Sequence, residues 1–348
     1  RLFARALHLG DFEQADGQFF NRPVRRRTMS TPNGAEMCRA VLEDFERDLD
    51  PGAPTARGGV RVIGYGEVSA ALLLEALPGQ VCKRMAGLRD RDAVERYQRL
   101  VDEYVALLRR SGLEVVDTRV VTVEIRGRRP VAYLLQQHLP AGGLGNTLLR
   151  EADDATLLAC VDRVLAALFE VWKANRERDG GLELAVDAQL SNWHFQICDG
   201  AVGPPTLFDV GTPYVRRGTT YQIDLEIFLA AVPPLIRGHY RRARAVENYL
   251  DHYFDPRSVA LDLLGNFHKE GRPDRVPAAA ARVNAWLTAH ADEFGHPAAI
   301  DSGDVARFYA ADAAQLELFL KVRRFDRFVR THLLHDRYDF ILPGAIRR

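Results

Sequence analysis

Apolar and polar positions change their period several times along this chain. Residues 35–49 carry Met37, Val41, Leu42 and Phe45 near helical spacing, and Asp50-Pro51-Gly52-Ala53-Pro54 then breaks the pattern. From Gly59 the period shortens to that of strands. Runs at 60–63 and 68–74 flank Gly64-Tyr65-Gly66-Glu67, and Leu77-Pro78-Gly79 precedes a third short strand at 80–85. A long charged helix is predicted over 90–110, with Tyr97, Leu100, Val101, Tyr104, Leu107 and Leu108 as its buried stripe and Gly112 as its stop. Segments 115–125 and 130–136 read as a hairpin around Arg126-Gly127-Arg128. Beyond the glycine-rich connector 139–143 the pattern is helical. A strong amphipathic helix covers 153–175, irregular chain with short strands at 193–198 and 206–208 follows, and helices dominate from 222 onward. The expectation is an α+β chain with a helical extension over 1–58, a strand-rich part over 59–139 and a helix-rich part over 140–348.

Charge and composition narrow the function classes. Lys plus Arg and Asp plus Glu both number 47, so nothing in the balance points to a nucleic-acid binder. The four cysteines (Cys38, Cys82, Cys160, Cys198) are far apart and form no C-x-x-C pair, which disfavours a zinc site or a disulfide framework. No apolar run is long enough to span a bilayer, and residues 1–20 lack a signal-peptide pattern, so a cytoplasmic, membrane-free protein is expected. His194, His239 and His252 have no metal-ligand spacing, and Ser191 lacks the G-x-S-x-G context of a hydrolase nucleophile.

Chemistry concentrates in the middle of the chain. Asp187-Ala188-Gln189-Leu190-Ser191-Asn192 places an aspartate five residues before an asparagine, and Asp209-Val210-Gly211 follows after a strand–turn–strand. One aspartate can orient an attacking hydroxyl and accept its proton, while an amide and a second carboxylate offer hard oxygens to magnesium. Upstream stand the glycine turn Gly64-Tyr65-Gly66-Glu67-Val68-Ser69 and Lys83, a lysine between apolar strand residues whose charge needs a partner. Taken singly, the turn is an ordinary hairpin, the lysine an edge-strand cation and each aspartate a cap. It is their order that carries information.

In that order these motifs resemble the protein kinase-like superfamily, and more closely its aminoglycoside and choline phosphotransferase branch, over roughly residues 58–245. The resemblance implies a bilobal fold, with a small antiparallel-sheet N-lobe and a larger, mainly helical C-lobe. It implies ATP and Mg2+ as cofactors and a small hydroxylated molecule as acceptor. By the same resemblance Gly64, Gly66 and Ser69 would cover the phosphates, and Ser69 stands where a third glycine is usual. Lys83 would hold the phosphates, with Glu103 as its partner and Glu95 as the competing choice. Backbone groups near Gln136 and His138 would meet the adenine edge. Asp187 would be the catalytic base, Asn192 and Asp209 the metal ligands, and Asp224 a brace for the catalytic loop. The sequence departs from the family at Ala185, where His or Tyr is usual, and at Gln189, where Lys or His is usual. Those departures leave open a nucleotide- or metabolite-binding pseudokinase, and nucleotidyl transfer on the same fold is a further alternative. No activation segment follows Gly211, which favours a small acceptor over a protein. Residues 265–272 read as a polar loop that could border the acceptor pocket. Arg323, Arg324, Arg327 and Arg330, alternating with Phe325 and Phe328, read as an amphipathic helix with a solvated basic face.

Overall fold

The computed structural model describes residues 32–56, 58–294 and 296–344. Helix α1 (Pro32–Asp48) precedes strands β1 (Val60–Tyr65), β2 (Ser69–Leu74) and β3 (Gln80–Met85). Helix α2 (Arg91–Arg110) is followed by β4 (Glu114–Val115), β5 (Thr118–Val123) and β6 (Val131–Gln137). Next come α3 (Gly145–Glu151), α4 (Asp154–Glu177), β7 (Leu182–Leu184), β8 (Trp193–Cys198), β9 (Ala201–Leu207), β10 (Val215–Arg217) and β11 (Thr220–Tyr221). Helices α5 (Glu226–Leu229), α6 (Pro234–Arg242), α7 (Ala245–Leu250), α8 (Pro256–Lys269), α9 (Val276–Ala289), α10 (Ala291–Phe294) and α11 (Ser302–Phe328) complete the order. The chain is α+β, with a five-stranded antiparallel sheet in the order β1-β2-β3-β6-β5 and a helical C-terminal part. Among the described residues no helix is long and apolar enough to cross a membrane.

Local chemistry explains the boundaries. Asp90 caps α2 by accepting the Ala93 N–H at 2.8 Å. Gly112, at φ +88°, ends it in the left-handed conformation, with the Leu113 N–H reaching back to the Leu108 carbonyl. Asp199 and Gly200 both have positive φ, which suits the tight turn between β8 and β9. One apolar cluster runs from the inner face of the five-stranded sheet (Met85, Ala132, Leu134) through the buried stripe of α2 to α4, α8 and α9.

The other face of the sheet is covered by α1 and by the end of the chain. Here the helix is rotated from the expected stripe. Cys38, Leu42, Glu46 and Leu49 are buried, whereas Met37 is exposed. Glu46 turns the face inward, because its carboxylate accepts from Arg84 Nε and Nη2 at 2.9 and 2.7 Å and from the Tyr133 hydroxyl at 2.6 Å. Arg84 also donates to the Asp339 carbonyl at 2.6 Å, which ties β3 to the terminal segment.

Two further expectations are corrected. The Arg-rich helix is inverted: Arg323 is 1% exposed, while Phe325 and Phe328 are 69% and 51% exposed. The Arg323 guanidinium finds a carbonyl, a phenol and aromatic faces inside, while Arg324, Arg327 and Arg330 are half-buried, so burial follows the partners rather than the residue class. The supposed polar loop 265–272 is helical through Lys269, and its asparagine is buried in the site described next.

Candidate functional site

Strand alternation decides which side chains of β3 reach the cleft. Arg84 faces α1, and Lys83 and Met85 face the opposite side. Lys83, 18% exposed at its side chain, donates from Nζ to Asp209 Oδ1 at 2.6 Å. Asp209 Oδ1 also accepts the Gly211 N–H at 3.2 Å, closing a local turn. A Cβ at Gly211 would sit 2.9 Å from Lys83 Nζ, so any larger residue there would make the end of the lysine shift. Tyr97 of α2 donates its hydroxyl to the Gly211 carbonyl at 2.7 Å. The segment 209–211 is thus fixed by one cation, one backbone donor and one phenol.

Segment 187–192 is fixed in a similar way. Asp187 Oδ1 accepts the Gln189 N–H at 3.0 Å, and Tyr104 donates to the Ala185 carbonyl at 2.6 Å. The Phe208 N–H donates to the Asn192 carbonyl at 3.1 Å, which ties this segment to the approach to Asp209. Behind the segment, α8 supplies a polar stripe at helical spacing. Asp262 accepts from Gln189 Nε2 at 3.1 Å, Asn266 Oδ1 accepts the Ser191 N–H at 3.0 Å, and Lys269 Nζ donates to Gln189 Oε1 at 3.3 Å.

Segments 187–192 and 209–211 meet β3 and the glycine turn at one cleft. Gly66, Ser69, Lys83, Asp187, Asn192 and Asp209 all border it, joined by Glu67, Gln189 and Tyr214, which the sequence reading did not assign to a ligand. The floor is aromatic: Tyr214 packs on Tyr253 with ring centroids 4.0 Å apart, and the Tyr249 and Tyr253 hydroxyls are 2.6 Å apart. Burial, then the charge of Asp209, pushes the Tyr97 phenol well above its ordinary pKa. Burial, then Asp187 and Glu67, does the same to Tyr214. Both phenols therefore stay protonated at ordinary pH.

Gly64, Glu103, Gln136, His138 and Asp224 are not among the residues that border the cleft. Gly64 lies inside β1, paired with Ala71 after a bulge, so the turn over the cleft is Gly66-Glu67-Val68. Glu103 is exposed on α2 and Lys83 pairs with Asp209 instead; the buried face of α2 passes through Tyr97 and Tyr104, one helical step away. Glu95, the competing choice, meets Arg91 at 3.0 Å. Gln136 is buried, with its amide donating to Thr118 Oγ1 and the Phe208 carbonyl at 2.9 and 2.7 Å. The His138 N–H donates to the Gly79 carbonyl at 2.9 Å, so it is already engaged within the sheet. Asp224 is exposed and accepts the Glu226 N–H at 3.0 Å; the bracing of loop 187–192 expected of it comes from α8.

The donor set suits a hard cation that needs few protein ligands. Asp209 and Asn192, a carboxylate and an amide, both border the cleft. Among the described residues no three His, Cys, Asp or Glu side chains form a metal cage of their own.

A family model of unknown function (DUF6206) matches residues 59–327. The chain belongs to that family. No curated protein matches it. The matched span holds every cleft residue named above, together with α8 and Arg323, whereas α1 and the terminal segment lie outside it.

Sequence reasoning did not place Tyr97, Tyr104 or Asp262 at the site, whereas Asn266 and Lys269 fall in the segment 265–272 that it set beside an acceptor pocket and read as a loop rather than as helix. The tyrosines sit seven residues apart on a buried helix face and look like packing. The stripe was detectable in principle, because polar side chains at i, i+4 and i+7 interrupt the otherwise apolar α8.

Proposed function

We propose that the protein is a magnesium- and ATP-dependent phosphotransferase acting on a hydroxyl of a small molecule, on a bilobal, protein kinase-like frame. One observation carries the reading: Lys83, Asp187, Asn192 and Asp209, drawn from 126 residues of chain, border a single cleft under a glycine turn. Asp187, held by the Gln189 N–H, would orient the acceptor hydroxyl and take its proton as the oxygen attacks the terminal phosphorus of ATP and the bond from that phosphorus to the bridging oxygen breaks, releasing ADP. Lys83 would turn from Asp209 to the phosphate oxygens and offset their charge. Asn192 and Asp209 would hold the magnesium, which neutralises phosphate charge when bound. Positioning and electrostatics would supply most of the rate. The test is turnover of ATP against a panel of amino alcohols, sugars and polyols, read by 31P NMR. The expected result is a new phosphomonoester signal, reduced at least about a hundredfold in Asp187→Asn, as loss of a general base requires. Full turnover in Asp187→Asn would remove that role.

A second reading is a non-catalytic nucleotide or metabolite binder. It is favoured by Gln189, which borders the cleft where a cation is usual in the resembled family and turns its amide to α8, and by the engaged N–H of His138. Magnesium-dependent ATP binding with no product from any alcohol would support it.

A further inference from the structure

Arg323 sits near the end of α11, 256 residues from the glycine turn in sequence, and is fully buried against it. Its Nη1 donates to the Glu67 carbonyl, and its Nε donates to the Tyr338 hydroxyl at 3.1 Å. The guanidinium lies over the rings of Phe340 and Phe319 at 4.8 and 5.2 Å. Nη2 is buried without a hydrogen-bond partner among the described residues. One and two turns earlier on the same helix face, Leu320 and Leu316 pack against Tyr65. Three turns of α11 therefore grip the segment Tyr65–Glu67 from outside the cleft.

The consequence follows from peptide geometry. The Glu67–Val68 bond is trans and planar, so its C=O and N–H point in opposite directions. Arg323, which holds that carbonyl, is not among the residues that border the cleft. Val68, whose N–H stands opposite that carbonyl across the peptide, does border it.

We propose that Arg323 is a positioning residue that fixes this peptide so that the Val68 N–H meets the phosphates of a bound nucleotide. The inference rests on the phosphotransferase reading for its ligand, but not for its geometry. A buried cation bonded to a neutral carbonyl is a poor device for stability, whereas a rigid planar fork is a good one for fixing an orientation. Arg323→Lys keeps the charge and loses the fork.

Two measurements on the full chain separate the possibilities. Amide hydrogen exchange of the segment 64–70 is followed without nucleotide, and binding of ATP with magnesium is compared with binding of adenosine by calorimetry. In Arg323→Lys the loop amides exchange about tenfold faster. ATP affinity falls about tenfold, the worth of one hydrogen bond to a charged group, and adenosine affinity is unchanged. A folded Arg323→Lys protein with wild-type loop exchange overturns the proposal, as does equal weakening of ATP and adenosine. If the wild type binds neither ligand, the phosphotransferase reading fails while loop exchange still decides whether Arg323 fixes the turn. Should Arg323→Lys not fold, Tyr338→Phe removes the acceptor of Nε and must raise the same exchange to a smaller degree; unchanged exchange there overturns the proposal.

Discussion

At the residue scale, the cleft is governed by hydrogen bonds that place charged groups rather than by the charged groups alone. Gln189 is the clearest case. Its N–H orients Asp187, and its amide bridges Asp262 and Lys269 behind the loop. Lys269 thus brings a cation near a position where the chain itself has an amide. Lys269→Met leaves the Gln189 oxygen without that donor. We expect a loss of about 1–3 kcal/mol in stability or in transition-state binding, read as a fall in kcat on the phosphomonoester assay with the nucleotide KM unchanged. Tyr97→Phe removes the hydroxyl from the Gly211 carbonyl while keeping the ring. It should lower stability by about 1 kcal/mol and weaken nucleotide binding, measured by denaturant titration and calorimetry. Lys83, Asp187, Asn192 and Asp209 were legible as a set from their order in the sequence, and all four border the one cleft. Glu103 was not, since one step on a helix turns a side chain by about 100° and spacing alone cannot resolve it.

At the element scale, periodicity located most strands and helices, and the errors have a common cause. It predicts a face from apolar residues, yet three faces here are set by polar partners. α1 rotates to bury Glu46 against Arg84. α11 buries Arg323 and leaves Phe325 in solvent. α8 buries Asp262 and Asn266 against the loop that carries Asp187. The Glu46–Arg84 pair gives a pH prediction. Burial pushes the Glu46 carboxyl up, but Arg84 and the Tyr133 hydroxyl outweigh it and hold the carboxyl below its ordinary 4.5. The linked stability is therefore complete above pH 4.5 and is lost as pH falls through the lower native value. Glu46→Gln leaves Arg84 buried and unpaired, which costs about 3–5 kcal/mol near neutrality. Its melting temperature should converge on that of the wild type as the solution is acidified, and parallel curves would contradict the assignment.

At the scale of the whole molecule, the described chain wraps the five-stranded sheet from both ends. α1 and the terminal segment close the face opposite the cleft, and Arg84 and Arg323 connect that segment to β3 and to the glycine turn. The sheet side of the cleft is thereby tied to the terminal segment. The α+β class was readable from the change of period, whereas this closure was not, because it depends on contacts between residues more than 250 positions apart. The central claim is that this cleft binds a nucleotide through a metal. The most direct measurement is a calorimetric titration with ATP, with and without magnesium, of the wild type and of Asp209→Asn. The account predicts saturable binding that requires magnesium and weakens at least about tenfold in Asp209→Asn, as loss of a carboxylate ligand demands. Absence of ATP binding with magnesium present, or identical affinity in the variant, would contradict it.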